Sequence, residues 1–168
     1  MRPPLSLIVR DLALIALAVY VLQLSRALQD QASAWSWPAA IAAGPLIPLA
    51  GFIVHEWGHL FGALLKGARV EYPATPLAVF LFKFDVVRND RRQFLAMANG
   101  GFVASILFVA LALAVLHLHY RGDVIALVIT AIGVIATFVL EVPESLRVCR
   151  GEPLPTGAAF VGTQKDPG

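Results

Sequence analysis

The chain is short of charge and of cysteine. Charged residues fill only 14% of its 168 positions, where a soluble domain carries about a quarter. Cysteine occurs once, as Cys149, which excludes an internal disulfide and any cysteine-rich zinc cluster. The missing charge is matched by 58% hydrophobic residues and a mean hydropathy of +0.75. A soluble core of this size could not hide so much apolar surface, so the bilayer is the natural solvent. With a net charge of only +2, no nucleic acid partner is expected. There is no internal repeat.

What is present is organised as four apolar stretches, each near the roughly 20 residues that a spanning helix needs. They run over about 12–28, 38–65, 94–116 and 124–142. The expected fold is an all-α polytopic membrane protein: four transmembrane helices with a short membrane-associated β segment between helices 2 and 3. Trp35 and Trp37 precede the second span as interfacial aromatics. Pro38, Pro45 and Pro48 predict irregular first turns in that span. The first span has a basic start (Arg2, Arg10), and Ala32-Ser33-Ala34 has the small-residue pattern of a cleavage site. The gap before that site is long and holds Arg26 and Asp30, so an uncleaved anchor is expected.

Lys and Arg set the orientation. Eleven of the 13 lie in the N-terminal flank, the connection between spans two and three, and the C-terminal segment. Only Arg26 and Arg121 lie on the other side. Both termini and the middle connection are therefore expected on the cytoplasmic face. That connection, 67–92, contains Val70-Glu71-Tyr72 and the run from Leu77 to Phe84, rich in strand formers. It predicts one or two strands, or a hairpin, against the membrane surface. The division is then 1–37 as N-terminal anchor helix and extracytoplasmic connection, 38–150 as a three-helix core, and 151–168, rich in Gly and Pro, as a disordered cytoplasmic tail.

The chemistry concentrates in His55-Glu56-Trp57-Gly58-His59. Histidines four apart on a helix share a face, about one turn apart, and can fill two corners of a tetrahedral Zn2+ site. Glu56 can then reach a water without binding the metal, the geometry in which a glutamate acts as general base. Gly58 leaves bare helix surface for a substrate backbone or another helix. Three ionisable groups inside one apolar span each cost a few kcal/mol at the bilayer centre, and so need a partner or a task.

A third protein ligand is expected. His117, His119 and Asp123 lie at the far side of the membrane. His59 and His55 sit about 10 and 16 Å in from the opposite side at 1.5 Å per residue, so those three residues are at the wrong depth. Glu141 and Glu144 remain, at the end of the fourth span. Glu141 is the deeper, and a helix broken at Pro143 would let either turn inward. Plain helix-end charges are the competing reading for the pair.

These residues resemble the site-2 protease family of intramembrane zinc metalloproteases, whose core is three spans. Residues 38–150 look like that core. His55-Glu56-Trp57-Gly58-His59 is similar to the family's first motif. The stretch from Arg91 to Ala96, with Gly100-Gly101-Phe102-Val103-Ala104-Ser105, is similar to the start of its middle span, with Phe102 for Pro and Ser105 for Asn. Where the family has Leu-Asp-Gly-Gly-Arg, the chain has Pro143-Glu144-Ser145-Leu146-Arg147. That register favours Glu144 as third ligand, whereas depth favours Glu141. The resemblance implies an intramembrane zinc metalloprotease acting on a membrane protein or peptide substrate, with Glu56 as general base. Asn99 is a candidate substrate contact, or else a cap for the third span. The expected location is a bacterial cell inner membrane. The alternative is a non-proteolytic zinc-binding membrane protein acting as partner or regulator. The oligomeric state is not legible.

Overall fold

Four apolar runs give four helices: α1 (Leu5–Asp30), α2 (Ser36–Leu65), α3 (Arg91–Val115) and α4 (Arg121–Cys149). A computed structural model describes residues 3–157 and 160–161. All four helices are long and apolar enough to cross a membrane. Their outward faces stay apolar: Leu12, Ile41, Leu111 and Ile132 are all exposed. In the most apolar window of α4 only 17% of residues are buried within the protein, which leaves the rest for lipid.

α2 is central and packs against the other three helices. The closest crossing is with α3. Gly58 and Gly62 on α2 face Ala96, Gly100 and Ala104 on α3 so tightly that a side chain on any of the three glycines would strike the partner helix. Small residues four apart let backbones meet in this way, which is how helices associate where no hydrophobic force separates lipid from protein. The bare surface expected beside the motif is thus filled by another helix.

α2 runs unbroken through Pro45 and Pro48, where the sequence suggested irregular turns. α4 likewise continues past Pro143 to Cys149. α3 begins at Arg91 with a capping box: the Asp90 carboxylate accepts from the Gln93 backbone N–H, and the Gln93 side chain accepts from that of Asp90.

The strands gather where α1 and α3 begin and α2 and α4 end. β1 (Val70–Glu71) pairs antiparallel with β2 (Lys83–Asp85), and β3 (Phe160–Val161) pairs parallel with the other edge of β2. Asn89 extends β1 by bonding both the N–H and the carbonyl of Arg69. The expected short β segment between helices 2 and 3 is the β1–β2 pair. Most of the run from Leu77 to Phe84 is loop, because its backbone serves other partners described below. One expectation needs correction: the segment read as a disordered tail supplies β3, since Leu154 and Phe160 pack on the core; two apolar anchors six residues apart were averaged away in its Gly and Pro content. Residues 158–159 and 162–168 of that tail lie outside the described residues.

One apolar cluster joins the sheet to this end of the bundle, with Leu7, Leu60, Phe82, Phe84, Phe94 and Val148 at its centre. Tyr72 packs against it. Its hydroxyl has no partner among the described residues, and burial raises its pKa. A second cluster fills the opposite end, built on Ala18, Leu22, Ile47, Ala112 and Leu116.

Candidate metal centre

His55 and His59 point the same way from α2, their ring centroids 4.3 Å apart. Each is held from behind by α3. The Nδ1 of His59 lies 2.9 Å from the Met97 carbonyl. The Nδ1 of His55 lies 3.1 Å from the Gly101 carbonyl and 2.9 Å from Ser105 Oγ. A carbonyl only accepts, so each Nδ1 carries its ring's proton and donates. A neutral imidazole has one such proton, so each Nε2 is left with a bare lone pair. A side chain on Gly101 would collide with the His59 ring, so glycine there makes room for one histidine while its carbonyl orients the other.

The two Nε2 atoms meet 2.8 Å apart. Facing them is the Glu141 carboxylate, with Oε1 3.2 Å from His55 Nε2 and Oε2 3.3 Å from His59 Nε2. The Oε2 atom is buried and has no hydrogen-bond partner among the described residues. Lone pairs packed this closely repel unless a cation lies among them, a proton or a metal. His55, His59 and Glu141 form a group of the right types and spacing to hold a metal ion. Ligand bonds of about 2 Å in a tetrahedral site put the ligand atoms roughly 3.3 Å apart. Both carboxylate distances match that span, and the imidazole pair is tighter. Two nitrogens and a carboxylate are also a donor set that zinc takes. The residues present therefore fit the metal.

Of the two candidate glutamates, only Glu141 joins the histidines. Glu144 pairs with Arg147 at 3.1 Å. The reason is that α4 does not break at Pro143: three residues further along a continuous helix is nearly a full turn further from the site. Asn99 is exposed on α3 and is absent from the walls of the site cavity, so the structure does not place it as a substrate contact. Nor is it the cap, a position taken by Asp90. His117, His119 and Asp123 lie at the other end of the bundle, as expected, and Asp123 pairs there with Arg26 at 2.6 Å.

Glu56 stands outside the trio but shares its cavity, a space of about 190 Å³ whose walls also include Phe80, Phe82 and Leu140. The buried Glu56 carboxylate accepts from the Leu81 N–H through Oε2 at 3.1 Å. This bond explains why the chain before β2 is loop: its amide is turned to the glutamate. The same loop is tied to α1, where the Arg10 guanidinium donates to the carbonyls of Pro76 and Ala78 at 2.7 and 2.8 Å. Next to it the buried Asp11 accepts from Trp57 Nε1 at 2.8 Å. Sequence reasoning missed these supports. The one available signal was an acid, Asp11, at the edge of an apolar run. Backbone donors such as Leu81 and acceptors such as Met97 leave no trace in residue types.

Comparison with protein-family models, with curated proteins and with solved structures returned no match for this chain.

Proposed function

We propose that the chain is an intramembrane zinc metalloprotease, seated in a bacterial inner membrane with both termini cytoplasmic, that hydrolyses peptide bonds of membrane protein substrates. The observation that carries this reading is the convergence of His55 Nε2, His59 Nε2 and the Glu141 carboxylate on one point, with Glu56 lining the same cavity as His59 and Glu141. His55, His59 and Glu141 would hold the metal. Zinc bound by two histidines and a carboxylate supplies Lewis acidity, polarising a carbonyl and bringing the pKa of water towards 7.

The remaining steps belong to the chain. The Leu81 N–H occupies Glu56 Oε2 and so fixes the carboxylate, leaving Oε1 to take a proton from the attacking water and pass it to the leaving amine. Met97, Gly101 and Ser105 keep both imidazoles in the tautomer that offers Nε2. The aromatic walls suit an apolar segment, and the water needed for hydrolysis must enter from the end of the bundle that carries the sheet. A helical substrate must unwind first, because its backbone bonds are otherwise shielded.

Metal analysis of the purified protein beside His55→Ala and Glu56→Gln tests the reading. Stoichiometric zinc in wild type and in Glu56→Gln, with cleavage of a membrane substrate only in wild type, supports a protease. Zinc in both with no cleavage by wild type assigns a non-proteolytic zinc-binding partner instead. No stoichiometric metal in wild type rejects both.

A further inference from the structure

β2 has two edges. β1 takes one, and β3, from the chain's own C-terminal segment, takes the other. The β3 edge is the one that bears on the site. Phe160 and Pro155 stand in the wall of the same cavity as Glu56, His59 and Glu141. The Phe160 ring lies 5.9 Å from that of Phe94, and Leu154 packs on the same apolar cluster. The register pairs Phe84 with Phe160, and Phe84 is only three residues beyond Leu81, whose N–H holds the Glu56 carboxylate. An extended segment on this edge therefore borders the cavity that holds the general base.

We propose that β3, a strand from the chain's own C-terminal segment, is a resident competitor on the edge of β2 where an extended peptide substrate would pair. The inference rests on the protease reading and adds to it a built-in brake. An unpaired strand edge is a template for another strand, and recognition by strand addition takes affinity from the backbone and selectivity from side-chain pockets. Here the pocket is the one Phe160 fills, so the substrate segment carries an aromatic or large apolar side chain at that position. Among the described residues β3 pairs with β2 through two positions, Phe160 and Val161, a hold short enough to be displaced. Its tether keeps its local concentration near the millimolar range, so an incoming peptide must compete with it.

The test uses the full chain in a Cys149→Ser background with Ser145→Cys as a reporter, since Ser145 lines the cavity and the exchange is nearly isosteric. Adding Phe160→Asp should raise the rate of maleimide labelling at position 145 roughly tenfold, the tethered competitor having been weakened. A synthetic peptide with the sequence of residues 152–161 should restore protection of that variant, and the same peptide with Asp in place of Phe should not. With a cleavable substrate, Phe160→Asp and the milder Phe160→Ala should lower KM. Equal labelling with and without Phe160→Asp, or no protection by the wild-type peptide, overturns the proposal. Labelling and peptide binding are read without turnover, so they stand even if zinc analysis rejects the protease.

Discussion

The two ends of the bundle each bury charge, and they handle it in opposite ways. At the end away from the sheet, Arg26 clasps Asp123 through two hydrogen bonds, at 3.1 and 2.6 Å. The fully buried Asp123 also accepts from the His117 backbone N–H, and Arg26 donates to the Val115 carbonyl. Positive and negative groups are both supplied by the chain, so the set is closed. At the sheet end, His55, His59 and Glu141 offer lone pairs only. Arg10, the nearest fixed cation on α1 described above, is spent on Asp11 and on two loop carbonyls. A closed pair locks helices together. An open one is short of a positive charge, and that shortage is what makes it a site.

Several measurements would break or sharpen this contrast. The largest effect is expected at Glu141. Glu141→Ala should lose stoichiometric metal, whereas Glu144→Ala should keep it, because Glu144 is already paired with Arg147 outside the trio. Equal zinc content in the two variants would reverse the assignment of the third ligand.

Next in size is the closed pair. Asp123→Ala leaves Arg26 without its counter-charge and should destabilise the fold by about 3–5 kcal/mol, read as a lower unfolding midpoint in detergent. Replacing both partners together, as in Arg26→Met with Asp123→Leu, should recover most of that loss. No such exchange should rescue the trio. A double variant as unstable as the single one would show that the pair does more than balance charge.

A smaller effect is expected behind the histidines. Ser105→Ala removes one of two acceptors at His55 Nδ1 and should weaken metal binding by roughly tenfold, at the low end for groups that orient a ligand. A metal titration that leaves the affinity unchanged would mean that the Gly101 carbonyl alone sets the tautomer. The smallest change is Trp57→Phe, which deletes the bond to Asp11 and should cost about 1 kcal/mol, the low end for a buried acceptor left behind, because Asp11 keeps its pair with Arg10. Its metal content should stay stoichiometric, and a loss of zinc in that variant would tie α1 directly to the centre.

Much of the fold was legible in residue types. Four spans follow from length and apolar content, and each helix begins before the apolar run that announced it because capping and polar ends are tolerated outside the hydrocarbon. The first motif was legible because two histidines and a glutamate are costly in an apolar helix. The carboxylate that joins them was not. Two glutamates three residues apart differ only in which turn of α4 meets α2, and that depends on the helix running on through Pro143. The cap of α3 was not legible at Asn99 for a related reason: the helix begins at Arg91, and Asp90 takes that position.

By itself the sequence determined the solvent, the number of spans and the two histidines with their glutamate, because these rest on composition and on spacing along one helix. Only the tertiary structure decided that Glu141 completes the trio, that Leu81 and Met97 hold Glu56 and His59 through their backbone, and that a piece of the C-terminal segment lies on the edge of β2. Those choices depend on the relative phase and depth of separate helices and on main-chain groups common to every residue, so no residue type along the chain records them.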